Sequence, residues 1–453
     1  MSMQVFNSIC RLCIPVCVMA TLAACATARS PAIDKPSQTD LKVAEPHRAP
    51  VNDPQHRTSI SSYLPTVLGE VKVVAVGDVM MHADILRASK DSVNGFESLW
   101  ADVSPLFKDA DIAFGNLETP VAPDTGKKSK PFMFNAPENL PAALHSGGWT
   151  ILSTANNHAF DQGAKGVKET VDRLAAAQLI TIGTGENKSA AEQIQVIDKN
   201  GVKVAFIGFT DIFNFDLDST ATAPWVRRLE LDSALASIKS ARQQADAVVV
   251  SIHWGDEYHH APNKRQQQIA EALIRGGADV VLGHHPHVLQ PAEVIDIVDD
   301  AGIKHIGLVI YSLGNFISNQ DRMYRADLFP VAAGDNRDGI TLQFSLAKVR
   351  NPDGSARVIL GDVAYEPLWV ENNWYEMRAN KDAKRSIRVI RIRDAIEKTW
   401  TELDQLTSEQ GSKLITDDKA RQAAIVEKQE YLRTLLLRKA RIATMVGGTF
   451  EAK

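Results

Sequence analysis

The segment Asp279–His287 reads DVVLGHHPH, a short apolar run that ends in three histidines. The run Asp279–Leu282 predicts a buried strand, because it is short, apolar and rich in a β-branched residue. Histidine is only intermediate in its tendency to be buried, and each of its ring nitrogens needs a partner. Three imidazoles just past one strand therefore indicate side chains that converge on a ligand, and a divalent metal ion is the usual ligand.

Similar apolar runs recur from Val71 onward and alternate with segments of helical length. This alternation predicts an α/β fold. Further predicted strands cover residues 71–76, 111–114, 149–153, 179–182, 202–208, 247–252 and 307–311. Residues 263–275 and 167–177 have the apolar stripe of a helix, and Gly276 stands just past the first of these segments.

Polar side chains stand directly after several of the predicted strands. In open α/β sheets the carboxyl ends of the strands form the edge at which ligands bind, so we expect these side chains to lie together. The set comprises Asp78, Glu118, Asn157, His253, His285 and His287. Carboxylate, amide and imidazole ligands suit Mn, Fe, Zn or Mg, and the set is large enough for two adjacent cations. Glu118 is the candidate bridging carboxylate.

Two further residues are candidates for proton transfer at this edge. His158 adjoins Asn157, where an imidazole can donate a proton to a leaving group. Glu257 follows the predicted strand that ends at His253 and is a candidate acid or base, although a solvated loop residue is the equal alternative. His253 taken alone would be interpreted as a hydrogen-bonded core histidine. The prediction therefore rests on the whole set.

Composition limits the classes of protein that remain. The chain has 453 residues, 44% of them hydrophobic, with a net charge of −5 and no basic stripe, so it is not predicted to bind nucleic acid. The four cysteines all lie at or before Cys25. Any metal site in the body of the chain must therefore use oxygen and nitrogen ligands, which argues against a structural zinc ribbon.

Residues 1–24 predict a secretory signal, with Arg11 before the apolar run Leu12–Ala24. The run is shorter than the roughly 20 residues of a comfortable membrane span. The tetrapeptide Leu22–Cys25 resembles the bacterial lipobox, which implies lipidation of Cys25 and a membrane-anchored lipoprotein of the cell envelope that faces the periplasm or the exterior. An ordinary cleavage signal with an incidental cysteine is the alternative. Residues 25–69 are proline-rich and predict a flexible linker.

The pattern changes in the last part of the chain. Ile340–Arg350 and Ala356–Val363 flank a turn signal at Asn351–Gly354 and predict an antiparallel hairpin. The main domain is therefore predicted to cover residues 70–372. Residues 373–453 predict a helical extension, with a last helix near 418–445, which is either a packing appendage or a surface for a partner.

The motifs, taken in order, resemble those of the CapA/PgsA family of bacterial capsule or poly-γ-glutamate synthesis proteins. They are Gly77-Asp78, Asn116-Leu117-Glu118, Asn157-His158 with Asp161 and Gly163, His253-Trp254-Gly255, GHHPHVLQ at 283–290 and SLGNF at 312–316. The family in turn looks like a branch of the calcineurin-like metallophosphoesterases. The resemblance spans about residues 71–370. It implies a four-layer α/β/β/α metallophosphoesterase-like sandwich, here with a C-terminal helical extension.

The resemblance also implies roles for the candidate residues. The six ligand candidates would hold divalent metal ions, two of them if the set is complete, and His158 would be the catalytic histidine. The protein would act on an anionic envelope polymer or a phosphoester substrate, within a polymer-synthesis complex, by hydrolysis of a phosphoester-type bond.

One position departs from the phosphoesterase pattern. Phosphoesterases place a histidine two residues after the first aspartate, where this chain has Met80, and His82 is the candidate substitute. The alternative is therefore a non-catalytic polymer-binding or scaffold protein with a degenerate metal site. His284 precedes the ligand pair of the family motif, which favours a place behind the ligands.

Overall fold

The computed structural model describes residues 64–215, 222–298, 304–408, 415 and 417–447. The predicted signal sequence, Cys25 and most of the predicted linker lie outside the described residues. Among the helices of the described part, none combines the length and the apolar character needed to cross a lipid bilayer.

The strands are β1 (Thr66–Val79), β2 (Ile112–Leu117), β3 (Ile151–Ser153), β4 (Ile180–Ile182), β5 (Thr184–Gly185), β6 (Gln195–Lys199), β7 (Val202–Thr210), β8 (Trp225–Val226), β9 (Ala247–His253), β10 (Val280–His284), β11 (Ala292–Val298), β12 (Lys304–Ile310), β13 (Asn315–Ile317), β14 (Asp338–Arg350), β15 (Ala356–Asn372) and β16 (Ile387–Arg391). The helices are α1 (Ala83–Asp91), α2 (Ser104–Lys108), α3 (Leu140–Gly147), α4 (Gly163–Ala176), α5 (Lys188–Ala191), α6 (Leu231–Arg242), α7 (Lys264–Arg275), α8 (Trp374–Ala379), α9 (Ile392–Thr407) and α10 (Asp418–Val446). Short 3-10 helices cover Gly95–Leu99 and Val331–Arg337.

Most of the strands form two large sheets. In the first sheet the order is β16-β15-β14-β1-β2-β3-β4, and β13 also pairs with β1. Strands β1 to β4 run parallel, whereas β14, β15 and β16 are antiparallel to their neighbours. In the second sheet the order is β11-β12-β10-β9-β7-β6, with a parallel centre and antiparallel strands at both edges. The parallel strands of each sheet therefore end at one edge.

The two sheets pack face to face and are covered by helices on their outer sides. Between the sheets, apolar side chains of β1 and β2 meet those of β7, β9 and β10, and the Phe114 and Phe206 rings stack at 6.2 Å. Outside the first sheet, Trp100, Phe107 and Trp149 fill the layer beneath α1 to α3. Outside the second sheet, α6 and α7 cover the other faces of β7 and β9. These layers confirm the predicted four-layer α/β/β/α sandwich.

Several boundaries differ from the sequence-based expectation. Strand β1 begins at Thr66, so residues 66–69 belong to the sheet and not to the predicted linker. The predicted helix at 167–177 begins earlier, at Gly163, and ends at Ala176. The edge strands β6 and β11 were not predicted, because they are partly exposed and polar residues interrupt their apolar runs.

The expectation that the chain is helical after residue 373 is wrong for β16. Ile387 and Ile390 have helix-like spacing, yet they lie on opposite faces of the first sheet. Ile387 and Val389 pack under the outer helices, and Ile390 packs between the sheets. The edge strand β16 completes the sheet, and the long C-terminal helices begin only at Ile392.

Candidate metal centre

The candidate site lies where carboxyl ends of strands from the two sheets meet. The register pairs Asp78 with Asn116 in one sheet and His253 with His284 in the other. Gly77 makes the position of Asp78 possible, because a Cβ at residue 77 would lie 1.9 Å from the carbonyl oxygen of Gly314. The strand ends thus bring polar groups from distant parts of the sequence into one buried cluster.

The carboxylate of Glu118 stands at the centre of this cluster. Its Oε1 is buried and has no hydrogen-bond partner. The Nε2 atoms of His253 and His287 each lie 3.7 Å from this oxygen, and Nε2 of His158 lies 4.0 Å from it. These distances are too long for hydrogen bonds. A buried carboxylate oxygen encircled by imidazole nitrogens at this spacing has the donor chemistry of a cation site.

Burial and neighbouring charges act on Glu118 in the same direction. Burial, followed by the negative charges of Asp78 and Glu257, raises the pKa of Glu118 well above its usual value. The ionised form is therefore costly in the protein alone. A cation beside the carboxylate would remove that cost, because an adjacent positive charge favours the ionised form.

The pKa of Asp78 is shifted in the opposite direction from that of Glu118. Asn116 Nδ2 donates to its Oδ1 at 2.8 Å, and the backbone N–H of His285 donates to its Oδ2 at 3.3 Å. Burial alone would raise the pKa of Asp78, but hydrogen bonds and charges of His284 and His287 hold it well below the usual value. Asp78 is therefore an ionised ligand candidate.

The orientation of the His287 ring follows from its neighbours. Its Nδ1 lies 3.1 Å from Oδ1 of Asn315 and 3.2 Å from Oδ2 of Asp78. Both partners are acceptors, so Nδ1 carries the proton and Nε2 presents its lone pair toward Glu118. A histidine that binds a metal usually donates its other ring N–H in this way.

His285 and His287 both have unusual backbone conformations. Their φ angles are 97° and 58°, a left-handed region that residues with a Cβ rarely adopt. Such backbone strain persists only where surrounding contacts hold it, and it is common at functional sites. His285 Nδ1 is buried without a hydrogen-bond partner. Burial, followed by the charge of His287, lowers the pKa of His285 to about 4, so its ring is neutral near pH 7.

Amide side chains orient the second pair of ligand candidates. Asn116 Nδ2 lies 3.4 Å from Nδ1 of His253, whose Nε2 lies 2.9 Å from Oδ1 of Asn157. Asn157 Nδ2 donates to Oδ1 of Asn214 at 3.2 Å, which turns the acceptor oxygen of Asn157 toward His253. Burial, followed by the charge of His285, lowers the pKa of His253 well below its usual value.

His158 forms a separate pair with Asp161. Its Nδ1 lies 2.8 Å from Oδ2 of Asp161, which also accepts the backbone N–H of Phe134 at 2.6 Å. The Phe134 ring packs against the imidazole with centroids 4.5 Å apart. Nδ1 therefore donates to the carboxylate, and Nε2 faces the cluster. An imidazole held in this way can accept or deliver a proton at Nε2.

The ligand candidates fall into two groups that share Glu118. One group contains Glu118, His285 and His287, and the other contains Asp78, Glu118 and His253. Within each group, one ligand atom per residue lies within 4.8 Å of the others. All members are buried, and their oxygen and imidazole donors fit Mn, Fe, Zn or Mg. The residues present therefore fit a divalent cation, and Glu118 belongs to both groups.

Some candidates from the sequence stand apart from these groups. Glu257 is exposed and acts on the cluster only through its charge. His284 lies behind the ligands, with Nδ1 3.4 Å from Oδ1 of Asp78 and its ring against Phe114. His82 Nδ1 accepts the backbone N–H of Asn319 at 3.4 Å, and burial, followed by the charges of His287 and His158, lowers its pKa to about 4.

Three asparagines belong to the site although the sequence analysis gave none of them a role there. Asn315, which entered only as part of the SLGNF motif, orients His287. The role of Asn116 could have been predicted from the sequence, because this residue stands at the same strand end as Glu118. The role of Asn214 could not have been predicted, because it lies in a loop far from every motif and only the tertiary structure brings it to Asn157.

Comparison with known proteins shows the family to which the chain belongs. The family model of the bacterial capsule synthesis protein PGA_cap matches residues 72–320. Over 261 residues the chain is 37% identical to the capsule biosynthesis protein CapA of Bacillus anthracis, covering 55% of this chain and 60% of that protein. Over 249 residues it is 36% identical to the PGA biosynthesis protein CapA of Bacillus subtilis, covering 54% and 62%. The chain thus spans less than two thirds of the length of these relatives.

Among solved structures, the chain is similar to the calcineurin-like phosphoesterase YfkN from Bacillus subtilis. The two are 15% identical, with a TM-score of 0.34, and the match covers 65% of this chain and 92% of that chain. A likeness of this size assigns no role to any residue of the present chain.

Proposed function

Because this chain belongs to the bacterial capsule synthesis protein PGA_cap family, we propose that it acts in the synthesis, export or anchoring of a capsule polymer of the poly-γ-glutamate type. The names of the two CapA relatives support this role. The polymer is anionic, and the protein contributes to its synthesis, export or anchoring in the cell envelope together with other components of a synthesis complex.

The proposed chemistry is the metal-dependent hydrolysis of a phosphoester-type bond. The observation that carries it is the buried, unpartnered Oε1 of Glu118 among the Nε2 atoms of His253, His287 and His158. Glu118 would bridge two cations, with Asp78, Asn157 and His253 around one, and His285 and His287 around the other. Bound divalent cations supply Lewis-acid polarisation of a phosphoryl oxygen.

The other steps belong to side chains of this chain. Nε2 of His158 faces the cluster, and Asp161 accepts the N–H on the opposite side of the ring and fixes its orientation. His158 therefore delivers a proton to the leaving oxygen, which removes the negative charge that would otherwise develop there. The amides of Asn116 and Asn315 keep the ligand rings in place while the substrate enters.

A second candidate function is binding without turnover. It is favoured by Met80, which is buried where phosphoesterases have a histidine, and by His82, whose Nδ1 is engaged by the backbone of Asn319. A centre with one ligand fewer would hold its first cation weakly. In that case the protein would bind an anionic polymer or act as a scaffold for other proteins of the complex.

Metal analysis of the purified protein tests the centre. We expect at least one equivalent of Mn, Fe, Zn or Mg in the parent protein and its loss in Glu118→Gln, which keeps the side-chain shape. His145→Gln is the matched control, because His145 is an exposed histidine at the end of α3. A parent protein that holds no divalent metal after incubation with each of these ions would overturn the centre and the hydrolase together.

Turnover then separates the two candidate functions. The metal-loaded parent protein is assayed with phosphodiester and phosphomonoester substrates, with His158→Gln as the inactive reference. Hydrolysis that disappears in His158→Gln supports the enzyme. Bound metal with no hydrolysis, combined with retention of poly-γ-glutamate on the protein, supports the binding role.

We further propose that Cys25 carries a lipid anchor. The support is the lipobox-like Leu22–Cys25 at the end of an apolar run. Expression of the full chain and of Cys25→Ser, followed by membrane fractionation, tests it. The parent chain is expected in the membrane fraction and the variant outside it, and equal membrane association of the two would contradict the anchor.

A further inference from the structure

Arg438 is a fully buried arginine in the middle of α10. Its guanidinium donates from Nε to Oδ1 of Asp338 and from Nη2 to Oδ1 of Asp335, both at 2.8 Å. Nη1 donates to the backbone carbonyl of Val331, and the Tyr324 ring lies 5.3 Å from the guanidinium carbon. Removing a charged group from water is costly, so this arginine is retained in the interior only because nearly every donor is engaged.

Apolar packing holds α10 against β14, β15 and the 3-10 helix Val331–Arg337. Leu435 and Ile442 lie on the same side of the helix as Arg438 and enter the core between the two sheets. The same core contains Leu289, which follows the histidine segment, and Leu313, which precedes Asn315. A C-terminal helix outside the region matched by the family model therefore packs on the segment that leads into β14 and shares its apolar core with the loops of the site.

The segment that contains Asp335 reaches His287 through the next residue, Asn336, which is hydrogen-bonded to both Asn315 and His287. Asp335 is followed by Asn336, whose backbone carbonyl accepts from Asn315 Nδ2 at 2.8 Å. Asn336 Nδ2 in turn lies 3.4 Å from the backbone carbonyl of His287. Asn315 Oδ1 holds Nδ1 of His287 at 3.1 Å. The segment that α10 anchors thus fixes the amide that orients the ligand ring.

A second route joins the helix to the same segment. Arg441 Nη2 donates to Oδ2 of Asp335 at 2.7 Å. His260 Nε2 lies 2.8 Å from the same carboxylate oxygen, and its Nδ1 lies 2.9 Å from the backbone carbonyl of Leu289. Asp335 is therefore shared by two arginines of α10 and by a histidine that holds the chain just after His287.

We propose that α10 is a positioning element of the candidate metal centre, and that Arg438 and Arg441 act through Asp335 and Asn315 to hold the His287 ring in its ligand orientation. The proposal rests on the proposed metal centre for its consequence in cation binding. Neither arginine touches the cluster itself. A helix with a packing role alone would need no buried guanidinium aimed at this segment, because Leu435 and Ile442 already supply apolar contact.

The test measures both the ring and the cation in the full chain. Arg441→Gln removes one of the two arginines from a half-buried position, and Arg438→Met removes the buried one. Arg433→Gln is the matched control, because it takes the same charge from an exposed position of the same helix. Nitrogen-15 spectra of the metal-free protein report the protonation of each His287 nitrogen, and Zn²⁺ titration against a competing chelator reports affinity.

We expect Arg441→Gln to shift the His287 ring signals and to weaken Zn²⁺ binding about tenfold, the usual size of such effects on metal ligands. Arg438→Met should do more, and Arg433→Gln should leave both unchanged. A folded Arg441→Gln with parental ring signals and parental affinity would overturn the proposal, even if Arg438→Met fails to fold. If the parent binds no Zn²⁺, the metal centre fails by itself, and the ring signals still decide the positioning role.

Discussion

Nδ1 of His287 lies 3.1 Å from Oδ1 of Asn315, and this contact leaves Nε2 as the nitrogen that faces Glu118. The amide is itself fixed, because its Nδ2 donates to Oε1 of Gln320 at 2.7 Å and to the carbonyl of Asn336 at 2.8 Å. Asn315, together with Asp78, thus sets the tautomer of a ligand candidate. The consequence is that residues which never touch a cation control how well it is held.

Asn315→Leu should weaken cation binding about 10–100-fold, the usual cost of losing such a partner of a metal-binding histidine. The Leu side chain is close in size but offers no acceptor for Nδ1 of His287. Zn²⁺ affinity is measured by competition with a chelator. Asn319→Leu is the control, since its side chain bonds Asp84 and not the cluster. Equal affinities for the parent and Asn315→Leu would refute the role of this amide.

Glu118→Gln should have opposite effects on stability with and without a cation. Burial raises the pKa of Glu118, so above the usual carboxyl value the folded state bears the cost of a buried charge that the unfolded state does not. The metal-free variant should therefore unfold at or above the temperature of the parent at pH 7. At a cation concentration of 100 times the Kd, the parent should gain about 2.7 kcal/mol, which the variant lacks. Thermal unfolding with and without chelator measures both.

His158→Gln should lower phosphodiester turnover about 10²–10⁴-fold, the range for loss of a general acid. Asp161→Asn should also lower it, because the amide no longer favours the N–H on Nδ1 and the protonated ring loses its negative partner. Neither change touches the groups that share Glu118, so metal content should stay at the parental level. Loss of metal in His158→Gln would instead identify His158 as a ligand.

Phe316→Ala should reduce the free energy of unfolding by about 3–5 kcal/mol, as expected for a fully buried phenylalanine. Its ring packs against Trp149, with centroids 5.3 Å apart, and also against Phe107. Phe132→Ala removes a ring that is 84% exposed and should change stability by less than about 0.5 kcal/mol. Urea unfolding compares the pair, and similar losses for both variants would contradict the packing described here.

His260→Gln should change the pH dependence of stability. The hydrogen bond that His260 donates to the Asp335 carboxylate raises the pKa of His260 above its usual value. The stabilisation from the charged pair is then complete below a pH of about 6.5 and is lost as the pH rises through the higher folded-state pKa. The parent should have a higher free energy of unfolding than the variant, and this difference should be larger at pH 6 than at pH 9. Urea unfolding at both values measures this, and a difference independent of pH would exclude a charged His260.

Much of the fold was predictable from the sequence because its signals are local. Runs such as Val280–Leu282 and Ala247–Ile252 are apolar and β-branched, so each predicts a buried strand without knowledge of its neighbours. The ordered motifs then predicted the family and the four-layer sandwich. The edge strands β6 and β11 escaped prediction because polar residues interrupt their apolar runs. Strand β16 escaped because Ile387 and Ile390 have helical spacing.

The candidate ligands were also predictable, since carboxylates and imidazoles directly after strands are visible in the sequence. What the sequence alone determined is the kind of donor at each strand end and the fold that gathers them. Only the tertiary structure decided which nitrogen of His287 faces Glu118, that Asp161 holds His158, and that α10 reaches the site through Asp335. These features depend on hydrogen bonds between residues far apart in the chain, and no local pattern encodes the direction of a side chain in a buried cluster.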